Sequence, residues 1–109
     1  MAQVINQGGI YWFDPEPTKG AEIRKIRPCI VVSPDEMNRH LQTVIIVPLT
    51  STVQPLPFRL TLKVLGQKSS VACDQIMAVD KSRLQGHITS MGTPDKRKLL
   101  GLLQTMLAY

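Results

Sequence analysis

The sequence predicts a mainly β chain with one C-terminal helix (α+β), folded as a compact curled sheet or small barrel. Three observations predict it. Five or six short runs of β-branched and aromatic residues are separated by Pro, Gly or small polar residues. The run Phe58-Arg59-Leu60-Thr61-Leu62-Lys63-Val64 alternates apolar and polar without a break, the period of a strand with one covered face. Near the end, Leu99, Leu102, Leu103 and Met106 recur at the spacing of an amphipathic helix.

Each element has its own warrant. Residues 8–14 carry Ile10-Tyr11-Trp12-Phe13 and read as a strand, ended by Pro15 and Pro17, which cannot donate to a ladder. A polar loop follows, and 28–33 is a continuous apolar run, as in a strand covered on both faces. Residues 33–38 read as a turn with at most one helical turn. Residues 43–49 form a second β-branched run, expected to end at Pro48 and the polar Thr50-Ser51-Thr52. In 58–64, Phe58, Leu60, Leu62 and Val64 should face the core, and Arg59, Thr61 and Lys63 the solvent. Gly66 turns the chain, 70–76 is a strand that could run on towards Val79, and 80–84 is a short helical turn. Residues 85–91 supply a last short strand. Thr93 suits a helix N-cap, Pro94 the first helical position and Asp95 the positive end of the dipole. Leu100 and Leu107 widen that helix's apolar face, which could plug the sheet or meet a second copy.

At 109 residues the chain fits one domain, 1–109, large enough for a single core. No apolar run is long enough to span a bilayer. No basic, apolar leader opens the sequence, so the expected location is the cytoplasm. The formal net charge is +5. That balance favours an anionic partner, nucleic acid or an acidic protein. The two cysteines make no disulfide framework, and Cys29 and Cys73 read as small buried hydrophobes. No Cys/His cluster has metal-ligand spacing. His40 and His87 stand alone as surface or strand-edge residues.

The loop between the first two strands concentrates charge. Lys19, Arg24, Lys25 and Arg27 stand there with one carboxylate, Glu22. Two apolar strands hold such a loop still while it supplies functional groups. Arg27 precedes Pro28, which biases its backbone to extended conformations at the strand's start.

The order of motifs Gly8-Gly9-Ile10-Tyr11-Trp12, Asp14, Pro17-Thr18-Lys19-Gly20-Ala21-Glu22, Arg27-Pro28 and Ser33-Pro34 resembles the MazF/PemK (Kid) family of toxin endoribonucleases. The resemblance continues through Val47-Pro48-Leu49-Thr50-Ser51, Cys73-Asp74-Gln75-Ile76 and Val79-Asp80-Lys81-Ser82-Arg83-Leu84. It implies a small SH3-like β-barrel of the Kid/MazF/CcdB type with a C-terminal helix, working as a homodimer. It implies cleavage of single-stranded RNA at short sequences, without metal or other cofactor, to 2′,3′-cyclic phosphate and 5′-hydroxyl ends. It also implies a cognate antitoxin whose acidic C-terminal segment occupies the RNA groove. Carried over by motif, Arg27 matches the catalytic arginine, Thr50 its hydroxyl partner and Glu22 the loop glutamate. Asp74 matches the aspartate used by the Kid/PemK branch, which makes it a further catalytic candidate, and Gln75 matches a glutamine bordering the groove. Thr18, Lys19, Arg24, Lys25 and Ser51 are the matching candidates for RNA contact. Three positions depart from the pattern: Gly9 replaces an acid, Ala21 a histidine and Ala72 an arginine.

These residue types suit the chemistry. RNA carries its own nucleophile, the 2′-hydroxyl, so an enzyme must remove its proton and stabilise charge on the phosphate. An arginine can hold two phosphate oxygens and stays cationic. A threonine hydroxyl can donate to phosphate but is a poor base. Glu22 is a candidate base if its surroundings raise its pKa. Structural roles stay open at this stage: an Arg27–Glu22 salt bridge, a turn cap at Thr50. A non-catalytic toxin or nucleic-acid-binding module of the same fold, of the kind that binds DNA gyrase, is the alternative, although the chain lacks the Trp-Gly-Ile ending of those toxins.

Overall fold

Among the described residues seven strands build one sheet, and every pairing in it is antiparallel. The computed structural model describes residues 4–15, 26–53 and 56–109. The elements are β1 (Gly9–Phe13), β2 (Arg27–Val31), α1 (Asp35–His40), β3 (Thr43–Thr50), β4 (Arg59–Val64), β5 (Gln67–Ala72), β6 (Met77–Asp80), β7 (Leu84–Ser90) and α2 (Thr93–Leu107). The strand order is β4-β5-β3-β2-β1-β7, and β6 also pairs with β3. No helix among the described residues is long and apolar enough to cross a membrane.

The continuous apolar run of β2 is explained by cover on both faces. Ile30 joins a cluster with Ile10, Val47, Leu49, Val71, Leu99 and Leu103, so α2 lies over that side. Cys29 and Val31 join Tyr11, Phe13, Val44, Ile46, Val79 and Leu84 in a second cluster on the other side. Leu99 and Leu103 are therefore buried in the chain's own core. The open choice for the helix face resolves towards plugging the sheet, at roughly 1.5–3 kcal/mol per buried leucine.

Several expected boundaries shift. Thr93 is the first helical residue rather than the cap; Gly92 holds the extended N-cap conformation and no side chain caps it. Residues 35–40 form a full short helix, α1. β3 runs through Pro48 instead of ending there. The reason lies in its neighbours: β6 pairs with β3 up to Ile46 and β5 pairs from Leu49, so Pro48 falls in the gap between them. A missing N–H breaks no ladder bond on that edge. β5 begins at Gln67, three residues early, because Leu65 and Gly66 both adopt positive φ and make a tight hairpin with Val64 opposite Gln67. After Ala72 the chain leaves the sheet through a 3-10 turn, Cys73–Gln75, before β6. The expected strand over 70–76 is thus split. The turn at 80–84 is confirmed as a 3-10 turn over Lys81–Arg83, with the Asp80 carboxylate accepting from the Ser82 N–H at 2.9 Å.

Gly9 has a steric reason. A Cβ there would meet the Tyr11 ring at 2.7 Å. The acid that the MazF/PemK pattern places at this position would displace the ring.

Candidate nucleic-acid interface

The registers define one polar face. On β2 and β3, Cys29 pairs with Pro48 and Ile30 with Val47. The paired stretch ends there, and only by continuing its register two residues would Arg27 come opposite Thr50. Thr50 then pairs with Ser70 on β5, and Ser70 with Thr61 on β4. Thr50, Ser70 and Thr61 thus form one row across three strands, pointing to the same face, and the continued β2–β3 register carries that row to Arg27. On one side of this row lie Lys63 and Lys68, directly paired and both exposed. On the other side lies Arg59, paired with Ala72.

Arg27 opens β2 and is exposed, with Phe13 as its β1 partner. Among the described residues nothing pairs with its guanidinium. Thr50 is half-buried, and its hydroxyl donates to the Thr52 carbonyl at 3.1 Å. That bond engages the hydroxyl's single proton and leaves the oxygen's lone pairs as acceptors. Ser70 is fully buried, and its hydroxyl has no partner among the described residues.

An open cavity of about 390 Å³ lies beside Thr50, lined by Trp12, Pro28, Leu49, Ser51 and Gln67 among others. Trp12 alternates against the buried Tyr11 and Phe13 and is 37% exposed at the cavity. In the sequence Trp12 reads only as part of a strand. Its opposite parity to two core aromatics was the signal that it faces elsewhere.

Arg59 corrects a second expectation. Alternation puts it on the solvent face, yet its side chain is only 10% exposed. Its Nε donates to Asp74 Oδ1 at 2.7 Å and its Nη2 to Asp74 Oδ2 at 3.1 Å. This hydrogen-bonded guanidinium holds the Asp74 carboxyl below the usual carboxylate range. Asp74 itself stays 37% exposed. Where the Kid-type pattern has an arginine at 72, this chain has a methyl, and Arg59 brings a guanidinium to the same corner from the next strand. Phe58, expected in the core, is 36% exposed instead. Gln75 follows Asp74 in the same turn and is exposed, so it does not serve the core. Thr18, Lys19, Glu22, Arg24 and Lys25 lie outside the described residues.

The cysteines are core residues. Cys29 and Cys73 are buried and unbridged. Burial pushes the Cys29 thiol up to about 12, far from a reactive thiolate. His40 and His87 are both exposed; His87 lies edge-on to Tyr11 and bonds Ser90 at 3.0 Å.

The described strands thus carry lysine and hydroxyl side chains on one face, with Arg27 exposed at the start of β2. The sequence matches, over residues 6–107, the family described as PemK-like, MazF-like toxins of type II toxin-antitoxin systems, and the chain belongs to that family. Endoribonuclease EndoA of Bacillus subtilis (strain 168) is 30% identical over 111 residues, covering 96% of each protein. MazF from Deinococcus radiodurans superposes with a TM-score of 0.81 at 26% identity, over 99% of this chain and 100% of that one. A MazE-MazF structure from the same organism gives 0.83 at 26% identity, over 96% and 97% of the two chains. The mainly β fold with its C-terminal helix is that of these neighbours.

Proposed function

We propose that this toxin cuts single-stranded RNA, messenger RNA above all, at short sequences, and so stops translation and growth. The enzyme class, an endoribonuclease, goes with the family and with EndoA. The observation that carries the finer reading is the β2–β3 register, which, continued two residues, brings the exposed Arg27 opposite the half-buried Thr50.

In this reading Arg27 holds two non-bridging oxygens of the scissile phosphate and stabilises the charge that grows there. Its strand-edge backbone makes a firmer mount than the middle of a loop. The Thr50 hydroxyl, turning its one proton away from the Thr52 carbonyl, donates to the same phosphate. Glu22 is the proposed base for the 2′-hydroxyl. The lowered pKa of Asp74 makes it a weak proton acceptor and argues against that role for it. The products are a 2′,3′-cyclic phosphate and a 5′-hydroxyl, formed without metal or cofactor. Thr18, Lys19, Arg24 and Lys25, joined by Lys63 and Lys68, contact phosphates without regard to sequence. Trp12 offers a ring for base stacking, and Ser51 and Gln75 line the groove.

The partners in this reading are a cognate antitoxin and a second copy of the chain. An acidic antitoxin segment would be drawn to the same cationic face. MazE-MazF complexes among the structural neighbours support an antitoxin. For the homodimer, the β3 region stands as one candidate contact. The helix stretch 99–106 is the other candidate, and within it the exposed Met106 is available while α2 spends Leu99 and Leu103 on its own core. The whole chain acts as one domain in the cytoplasm.

The test is to incubate purified protein with single-stranded RNA in EDTA and label the fragments with a polynucleotide kinase. Fragments that accept label without phosphatase treatment carry the 5′-hydroxyl we expect. Intact RNA combined with inhibition of gyrase would instead support the non-catalytic alternative. Light scattering at micromolar concentration reads the dimer separately.

A further inference from the structure

The Arg59–Asp74 corner sits on the same face as the row of Thr50, Ser70 and Thr61, one pleat along and two strands across from Thr50. Strand spacing and rise place it roughly 12 Å from Thr50, within reach of a nucleotide near the cut. Ala72 is the direct register partner of Arg59, and its small methyl leaves room for the guanidinium to reach Asp74 in the turn that follows. The result is a carboxylate fixed in orientation and partly open to solvent.

The lone pairs decide what such a carboxylate can read. It has about four acceptor sites, two on each oxygen. One on each oxygen points the same way, and a parallel fork of donors takes that pair. Arg59 supplies the fork, with one donor to each oxygen. The two sites left over diverge. Each can take a single N–H, but no second parallel pair can be accepted. Adenine and cytosine each present one exocyclic amino group at the Watson–Crick edge. Guanine presents two parallel donors there, one of which would stay unpaired. Uracil flanks its single donor with carbonyl oxygens, which the carboxylate repels.

We propose that Arg59 and Asp74 together form a base-reading site that selects adenine or cytosine at one position of the RNA, with Arg59 as the positioning residue and Asp74 as the acceptor. The proposal rests on the reading of the chain as an RNA-cutting toxin, and its test keeps the two apart. Wild type, Asp74→Asn and Arg59→Lys are each given a random-sequence RNA, and the 5′ ends of the fragments are sequenced. Wild type should show adenine or cytosine at one position of its word. Asp74→Asn, which can turn an amide donor outwards, should lower the preference over uracil at that position about tenfold. Arg59→Lys frees the parallel lone pairs and should admit guanine at the same position. A purely structural pair would change all words together and would not alter one position.

Unchanged base preference in both variants overturns the proposal. So does loss of cleavage at every word by Asp74→Asn with RNA binding intact, because Asp74 would then touch the reacting atoms. Should Asp74→Asn fail to fold, the guanine gain of Arg59→Lys decides alone. If wild type cuts nothing, the cleavage reading fails instead, and fluorescence anisotropy with uncut oligomers still decides this one. Oligo-dA and oligo-dC should then bind more tightly than oligo-dU, with the ratio falling in Asp74→Asn; equal affinities overturn it.

Discussion

Arg27 and Arg59 occupy the same face of one sheet and are held in opposite ways. Arg27 is exposed at the start of β2, and no described residue pairs with it. Arg59 is largely covered, and both its Nε and Nη2 donate to Asp74. An arginine with all its donors open can close on a phosphate when one arrives. An arginine already forked to a carboxylate has its charge balanced locally and acts by fixing that carboxylate. In the functions proposed above, the same side chain would serve reaction at one end of the face and recognition at the other, and the difference lies in the neighbour that each strand supplies.

The largest expected effect separates the two directly. Arg27→Lys keeps the charge but loses the fork. Single-turnover cleavage should fall on the order of a hundredfold to a thousandfold at every RNA word. RNA affinity should largely persist, since neighbouring cations carry it. The melting temperature should stay within the shift expected of a surface substitution, on the order of 0.5 kcal/mol. Cleavage at near wild-type rate would make Arg27 a binding residue and remove the contrast.

The next effect is smaller and falls on stability. Arg59→Met removes the guanidinium and leaves the Asp74 carboxylate half-covered without its partner. Denaturant titration should show a loss of about 1 kcal/mol or less, discounted because Asp74 is open to solvent. Arg27→Met should show none beyond error. Equal losses for both would mean that the corner is no more structural than the open end.

These two arginines also mark what the sequence could disclose. Alternation over 58–64 correctly placed Leu62 and Val64 inside, and the helical spacing placed Leu99 and Leu103 there. Both are local periodicities, which one strand or helix expresses by itself. Arg27 and Thr50 are marked by their motifs, but bringing them opposite one another depends on continuing the β2–β3 register. The Arg59–Asp74 pair was hidden, because it depends on the β4–β5 register and on the 3-10 turn that brings Asp74 back over Ala72. Alternation says only that Arg59 is not in the apolar core. It says nothing of what a long side chain meets on the polar face. Pro48 was misplaced for a related reason: whether a proline ends a strand depends on whether a neighbour needs its N–H, and that neighbour is twenty or more residues away in sequence.

The smallest effect concerns acid. Hydrogen bonding from Arg59 lowers the Asp74 pKa in the folded chain relative to its ordinary value. A carboxyl with a depressed folded pKa binds its proton less readily folded than unfolded. Its stabilising contribution is therefore present above the unfolded pKa and disappears as pH falls through the folded one. Asp74→Asn cannot titrate, so the gap in melting temperature between wild type and this variant should hold from neutral pH into mildly acidic buffer. It should then close below the ordinary carboxylate range. The gap will be small, because the pair is partly hydrated and screened by salt, and added salt should shrink it further. Arg27→Lys offers the matching control, since no described carboxylate faces Arg27: its gap from wild type should not change over the same acid range. A gap for Asp74→Asn that stays constant through strong acid would mean that the carboxylate is not held by Arg59 in solution, and the two ends of the face would no longer differ in kind.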